Sequence, residues 1–223
     1  MKHWEEYWKI CKNKPIVSSP QVCLYGGSNI EPLASIGMSC FLDPVRHKFK
    51  ENFSILDYGC GAGILSNFIS ERLNNFTYYG LEPLSNHGKE RIDLAKANFN
   101  DSRVKFGFIE SSIKDFYDRK IDAVVLISVF THLNIKDIYV CLNNLLPIFD
   151  NNPELSIVFS CFTDNISRLH ILCPNINDRY YATSHIEIKN IETFCKNNKL
   201  KLNKCIDFTA QGGYIHEIYE IKQ

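Results

Sequence analysis

The strongest constraint on the fold is an alternation of apolar runs and amphipathic helical patterns that begins near residue 53. The run 121–130 is almost continuously apolar, as expected for a strand that is covered on both faces. Residues with helical spacing follow such runs, as in 64–73, 85–99 and 134–149, where Asn134 is placed to cap a helix. Right-handed crossovers put such helices on both faces of a parallel sheet. The sequence therefore predicts an α/β fold with a doubly wound, mostly parallel sheet.

The C-terminal part of the chain departs from this alternation. Residues 184–200 have helical spacing, with Ser184 as a candidate N-terminal cap. Residues 201–223 contain two strand patterns joined through Gly212-Gly213, which is a hairpin signal. We therefore expect a seven-stranded sheet that ends in a C-terminal antiparallel hairpin.

The N-terminal segment 1–50 is rich in turn residues and lies outside the predicted sheet. We interpret it as an N-terminal helical cap, and residues 51–223 as the main domain. Open α/β sheets bind ligands at the carboxyl ends of their strands, so we expect the cap to cover that edge.

The composition excludes several functional classes. Lys+Arg 25 equals Asp+Glu 25, which gives no electrostatic footprint for a long nucleic acid. No apolar run reaches the roughly 20 residues that span a bilayer, and the N-terminus does not resemble a secretion signal. The nine cysteines are odd in number and include no C-x-x-C pair, which favours reduced thiols and a cytoplasmic location. The oligomeric state is left open.

The stretch ILDYGCGAGIL places glycine at alternate positions between an apolar strand pattern and a helical pattern. The glycines are Gly59, Gly61 and Gly63. Glycine permits positive φ and a close approach of ligand to backbone, so this turn is typical of a nucleotide site. The dinucleotide pattern G-x-G-x-x-G would need glycine where Ile64 stands. Asp57 precedes the turn, and Glu82 ends the next strand pattern, where a carboxylate can accept hydrogen bonds from both hydroxyls of a ribose.

Four segments in this order resemble the class I S-adenosylmethionine-dependent methyltransferases. They are ILDYGCGAG, YYGLEP, VKFGFIESSI and IDAVVLISVFTHL, and the spacing of the late helix is also similar. The resemblance covers roughly residues 50–223 and implies S-adenosyl-L-methionine as the cofactor.

The resemblance also implies roles for single residues. The implied cofactor-binding positions are Asp57, Gly59, Cys60, Gly61, Glu82, Pro83, Glu110, Ser111, Ser112, Ile127 and Ser128. Asp57 is expected to hold the methionine amino group, and Glu82 to bind the ribose. Glu110 is expected at the edge of the adenine, although the family more often has aspartate there.

The loop after the fourth strand pattern narrows the reaction class. Nucleic-acid amino methylases of this fold carry Asn/Asp-Pro-Pro-aromatic at this point, whereas this chain has Ile127-Ser128-Val129-Phe130. Metal-assisted members need acids here, and none is present, so we predict no metal. His132 is a candidate general base, with local packing as the alternative. We therefore expect methyl transfer to O or N of a small-molecule acceptor, such as a sugar or a nucleotide-linked precursor.

The acceptor is expected above the carboxyl ends of the strands, against Tyr25, Phe130, Arg179 and Tyr181. The last two lie in the stretch 163–181, which is long for a plain connection. Two other classes remain open. A small Rossmann-type reductase would need the missing sixth-position glycine, and a non-catalytic methyltransferase-like module would have no need of an intact site.

Overall fold

The computed structural model describes residues 41–49, 52–70, 73–163, 168–172, 181–209 and 215–223. The strands are β1 (Phe53–Tyr58), β2 (Phe76–Glu82), β3 (Val104–Phe108), β4 (Ala123–Leu126), β5 (Ser156–Thr163), β6 (Arg168–Leu172), β7 (Tyr181–Ile186), β8 (Lys201–Thr209) and β9 (Ile215–Lys222). The α-helices are α1 (Ile64–Ser70), α2 (Asn86–Asn98), α3 (Ile109–Ser112), α4 (Ile135–Asn151) and α5 (Ile188–Asn197). Short 3₁₀ helices span Asp43–Lys48, Ile113–Phe116 and Phe130–His132.

The parallel part of the sheet has the strand order β3-β2-β1-β4-β5. The strand β9 runs antiparallel to β5 over Ile157–Cys161, and β8 runs antiparallel to β9. These seven strands confirm the predicted fold class, a mostly parallel doubly wound sheet that ends in an antiparallel pair. The turn predicted at Gly212-Gly213 lies outside the described residues.

The structure adds two strands that the sequence analysis did not predict. The strands β6 and β7 form an antiparallel pair, and β7 joins the carboxyl end of β5 through Phe162 and Thr163. The prediction that Ser184 caps the late helix is therefore wrong. Ser184 lies inside β7, and the helix begins only at Ile188. The third strand is short, and the segment VKFGFIESSI is divided between β3 and the helix that follows it. The strand ends at Phe108, and Glu110 belongs to α3.

The helices bury one apolar face each against the two sides of the sheet. On one side, α4 packs Ile138, Leu142 and Leu145 onto the central strands together with α5. On the other side, α1 contributes Leu65 and Ile69. The predicted cap of α4 is confirmed: the Asn134 side chain accepts hydrogen bonds from the backbone N–H groups of residues 136 and 137.

Residues 41–49 are the described part of the predicted N-terminal cap. Phe41, Leu42 and Val45 are buried against the same side of the sheet as α1. At the end of this segment, the Lys48 ammonium donates to the carbonyl oxygens of Asp122 and Glu154, which precede β4 and β5. This end therefore lies at the amino ends of the strands. The rest of the predicted cap, including Tyr25, is outside the described residues.

Candidate functional site

The turn between β1 and α1 is held in a conformation that favours glycine. Gly59, Gly61 and Gly63 have φ of 86°, 59° and 80°. The backbone N–H groups of Gly59 and Cys60 both donate to the carbonyl oxygen of Leu81, at 2.8 and 3.1 Å. The turn is therefore tied to the end of β2, and the carboxyl ends of the two strands stay together.

Two of these glycines also lie against side chains of the protein itself. A Cβ on Gly59 would lie 2.6 Å from Cγ2 of Val129, and one on Gly63 would lie 2.7 Å from the Phe106 ring. Real Cβ atoms do not approach other atoms this closely, so part of the glycine pattern is explained by packing. Because Val129 follows β4, the contact also brings the loop after β4 against the glycine turn.

Asp57 is a buried acid next to the end of β1, with 3% of its surface exposed. The hydroxyl of Tyr78 on β2 donates to its Oδ2 at 2.6 Å. Burial raises the pKa of Asp57 to about 7, the hydrogen bond from Tyr78 opposes this shift, and the nearby charge of Glu82 adds to it. Asp57 can therefore change its charge near neutral pH, and a cation beside it would favour the ionised form.

Glu82 is a second buried acid, 2% exposed, at the carboxyl end of β2. Its Oε1 accepts a hydrogen bond from the Gly61 backbone N–H at 2.5 Å, and its Oε2 accepts one from the Arg91 guanidinium at 3.1 Å. Each carboxylate oxygen can accept about two hydrogen bonds, so acceptor capacity remains on both. Glu82, the residue predicted to bind the ribose, is thus buried, and two hydrogen bonds fix the orientation of its carboxylate.

Glu110 and its neighbours lie on the next element outward. The Glu110 Oε2 accepts a hydrogen bond from the Leu84 backbone N–H at 2.7 Å, which links α3 to the loop that follows Glu82 and contains Pro83. The Ser111 hydroxyl donates to the Phe108 carbonyl, and the two hydroxyls of Ser111 and Ser112 lie 3.4 Å apart. In this structure Glu110 braces the loop, and its contact with an adenine stays a prediction.

The loop after β4 is held by a side chain of β5 and by a side chain of the loop itself. Ser128 has φ of 56°, and its backbone N–H donates to the Ser160 hydroxyl on β5 at 2.9 Å. The Thr131 hydroxyl donates to the Ser128 carbonyl at 2.8 Å. This loop also contains Ile127 and the half-buried His132, so the predicted residues after β4 lie at the same edge as the glycine turn.

Phe130 belongs to the core in the described structure. Its side chain is fully buried, and its ring centroid lies 4.9 Å from that of Phe159. The proposed contact of Phe130 with an acceptor stays a prediction. Of the other acceptor positions, Tyr25 and Arg179 lie outside the described residues, and Tyr181 is described only as the first residue of β7.

The described cysteines and possible metal ligands do not indicate a reactive thiol or a metal centre in this site. Burial raises the pKa of the Cys60 thiol in the glycine turn, which makes it a packed side chain without thiolate character. Across the described ranges, no disulfide joins the cysteines, which are Cys60, Cys141, Cys161, Cys195 and Cys205. The same ranges contain no group of three or more His, Cys, Asp or Glu residues placed to hold a metal ion.

The sequence analysis missed two residues that touch the buried acids. Tyr78 lies on the same face of β2 as Glu82, because side chains alternate with a period of two. Arg91 lies one helical turn before the buried Ala95, which places it on the inward face of α2. These periodicities are the signals that could have identified both residues.

The part of the chain that contains the glycine turn and the buried acids also matches known proteins. Residues 55–149 match the family model described as "Methyltransferase domain". A relative named ubiquinone biosynthesis O-methyltransferase, mitochondrial, from Dictyostelium discoideum is 32% identical over 92 residues, which are 38% of this chain and 28% of that protein. The match to this curated relative thus spans under a third of its length.

Solved structures share the fold at low sequence identity. Magnesium protoporphyrin IX methyltransferase from Synechocystis PCC 6803 has a TM-score of 0.61 at 13% identity, over 99% of this chain and 94% of that one. An S-adenosylmethionine-dependent methyltransferase from Methanosarcina mazei has a TM-score of 0.59 at 16% identity, over 80% and 95%. The match over residues 55–149 supports the predicted family, and the solved structures agree with the predicted fold.

None of the helices among the described residues is long and apolar enough to cross a membrane.

Proposed function

We propose that this protein is a methyltransferase that uses S-adenosylmethionine to methylate O or N of a small molecule. The observation that carries the proposal is the pair of buried acids, Asp57 and Glu82, at the carboxyl ends of neighbouring strands on either side of the glycine turn. Burying two carboxylates side by side costs free energy, and such costly arrangements cluster at functional sites. This pair would suit a ligand that carries a cationic group and hydroxyl groups.

The residues of the turn fit this cofactor. Glu82 keeps acceptor capacity for ribose hydroxyls, and Asp57 is suited to an ammonium group because a cation would favour its ionised form. Gly59, Cys60 and Gly61 would lie along the methionine part, and Pro83, Glu110, Ser111 and Ser112 along the nucleoside side. Ile127 and Ser128 would face the methionine end from the loop after β4. When bound, the cofactor supplies an electrophilic methyl group on a sulfonium.

The protein's remaining tasks are to align the acceptor and to keep water out. Alignment alone can lower a barrier by roughly 7–11 kcal/mol. His132 would accept a proton where the acceptor loses one, and Tyr25, Phe130, Arg179 and Tyr181 would contact the acceptor. No metal is part of the proposed reaction.

The proposed acceptor is a small metabolite such as a sugar or a nucleotide-linked precursor. Supporting this choice, the loop after β4 lacks the motif of nucleic-acid amino methylases, and similar structures include enzymes named for a porphyrin and for a glycopeptide. We retain the cytoplasmic location predicted from cysteine usage, although the Dictyostelium relative is named as mitochondrial.

Binding of S-adenosylhomocysteine tests the cofactor. Titration calorimetry and a thermal shift on the purified protein, without added metal, should both report binding. No heat and no shift at millimolar ligand would refute the proposal. Transfer of a labelled methyl group to a panel of hydroxyl- and amino-bearing metabolites then separates an enzyme from a non-catalytic module.

Glu82→Ala should weaken S-adenosylhomocysteine binding about tenfold or more, because a charge-assisted hydrogen bond is worth roughly 1.5–3 kcal/mol. Asp101→Ala is the matched control, since Asp101 pairs with Arg103 on the surface and should not change affinity. If Glu82→Ala folds and binds like the parent, Glu82 is not the ribose ligand.

A further inference from the structure

Glu82 forms an ion pair with Arg91, a residue that has no role in the proposed cofactor site. The guanidinium of Arg91 on α2 donates to Oε2 at 3.1 Å, and 22% of the Arg91 side chain is exposed against 3% for Glu82. The pair is therefore largely withdrawn from solvent. An ion pair in such a place loses less to solvent screening than one on the surface.

Among the residues that the structure describes, three other ionisable groups face Glu82, and none of them is a cation. Asp57 on β1 is acidic, and Cys60 in the turn and Tyr78 on β2 are neutral donors when protonated. The backbone N–H of Gly61 also donates to Oε1. Arg91 thus supplies the positive charge in this group of contacts, and it fixes the second carboxylate oxygen in space.

We propose that Arg91 is a positioning residue that holds the Glu82 carboxylate in the orientation that accepts the two ribose hydroxyls. This inference rests on the proposed function. Gly61 and Arg91 each take one acceptor position on a different oxygen, which leaves the remaining positions of both oxygens for a diol. Holding a carboxylate at both oxygens removes the rotational freedom that it would otherwise lose on binding.

The contact between Arg91 and Glu82 also has an opposite interpretation. The two interpretations predict opposite effects of removing Arg91 on ligand affinity. If Arg91 competed with the ribose for Glu82, removing it would tighten ligand binding. If it positions Glu82, removing it must weaken binding, and only for ligands that carry the hydroxyls.

The test measures the affinity of S-adenosylhomocysteine and of its 2′,3′-dideoxy analogue for the parent and for Arg91→Met. We expect Arg91→Met to bind S-adenosylhomocysteine at least tenfold more weakly and the dideoxy analogue within about threefold of the parent. Lys89→Met is the matched control, because Lys89 is an exposed cation on the same helix, and it should change neither affinity.

A double-mutant cycle checks that Arg91 acts through Glu82. In a Glu82→Gln background, Arg91→Met should cost less than threefold in S-adenosylhomocysteine affinity. Should Arg91→Met fail to fold, Arg91→Lys keeps the charge but loses the planar fork, and it should still weaken S-adenosylhomocysteine several-fold while sparing the analogue. Thermal unfolding of each variant monitors the fold.

Three results would overturn the inference: unchanged or tighter binding of S-adenosylhomocysteine to Arg91→Met, equal loss of both ligands, or full additivity with Glu82→Gln. A parent protein that binds neither ligand would instead refute the proposed function. The two failures are therefore distinguishable.

Discussion

At the scale of single residues, Asp57 carries the clearest consequence for chemistry. Its pKa is raised from 3.8 to about 7, chiefly by burial, so an appreciable part of the folded protein holds it protonated at neutral pH. An ammonium group bound beside it would favour the ionised form, so ligand binding and proton release are linked.

Affinity for S-adenosylhomocysteine should therefore rise with pH up to about 7 and level off above it. Well below pH 7 each unit should cost close to tenfold, since one proton must leave for each ligand bound. Titration calorimetry from pH 5.5 to 8 would measure the slope. Tyr78→Phe removes a hydrogen bond that lowers the pKa of Asp57, so it should move the midpoint to higher pH. A flat profile in the parent would contradict this assignment.

The same shift predicts how stability depends on pH. A folded-state pKa above the unfolded value means that the native state binds more protons between about pH 4 and 7, so stability falls as pH rises through that window. Relative to Asp57→Asn, the parent should lose up to about 4 kcal/mol between the two ends. Urea unfolding of both proteins at pH 4.5 and 7.5 gives the difference. A constant offset between them would show that Asp57 does not titrate in this range.

At the scale of elements, the glycine turn combines two constraints at one position. Gly63 has φ of 80°, and a Cβ there would lie 2.7 Å from Phe106 on β3. Gly63→Ala should therefore destabilise the protein by at least about 1 kcal/mol from backbone strain, with a further cost from overpacking. Chemical denaturation measures the total.

The double variant Gly63→Ala/Phe106→Leu separates these two contributions. Coupling between the two sites would identify the steric part, because the smaller side chain makes room for the new methyl group. Unchanged stability of Gly63→Ala alone would contradict the conformation described for the turn.

The elements that the sequence predicted well are those with local signals. The Asn134 cap follows from spacing within one helix, and it is confirmed. The burial of Ile92 and Ala95 in α2 also agrees with the helical spacing of 85–99. Ser184 was misassigned because a serine before a helical pattern has the composition of a cap, while its actual partners are in β6, fifteen or more residues earlier in the chain. Strand pairing depends on such distant partners, which a local pattern does not contain.

The site shows the same division between local and distant information. Asp57, Glu82 and the glycines stand at strand ends, so their convergence follows from parallel topology alone. The contacts that orient the two acids do not follow from the topology. The Tyr78 hydroxyl reaches Asp57 from the neighbouring strand, and the Arg91 guanidinium reaches Glu82 from α2. Burial of Asp57, which sets its pKa, is likewise a property of the assembled core.

At the scale of the whole molecule, the pair β6–β7 extends the sheet on the side of the site. The end of β7 lies beside Phe162 and Thr163 at the carboxyl end of β5, and β7 packs near the 3₁₀ turn Phe130–His132 that follows β4. The carboxyl ends of β1, β2, β4 and β5 meet at one edge of a parallel sheet. The added strands therefore border the same edge as the glycine turn.

This arrangement supports a last prediction about the acceptor. Tyr181 begins β7, Arg179 lies two positions before it in sequence, and Tyr25 belongs to the predicted cap. If these side chains contact the acceptor, single changes to Ala should lower methyl transfer at least tenfold. They should leave S-adenosylhomocysteine affinity within about threefold, roughly 0.6 kcal/mol, because the cofactor residues are separate. The measurement pairs a transfer assay on the first acceptor found with calorimetry on the same samples.

Arg119→Ala provides the matched control for Arg179→Ala, since Arg119 is an exposed arginine in the segment that leads into the amino end of β4. It should change neither transfer nor affinity. Loss of transfer together with loss of cofactor affinity would point to a disturbed fold. Full transfer by all three acceptor-site variants would show that the acceptor binds away from β7 and the predicted cap.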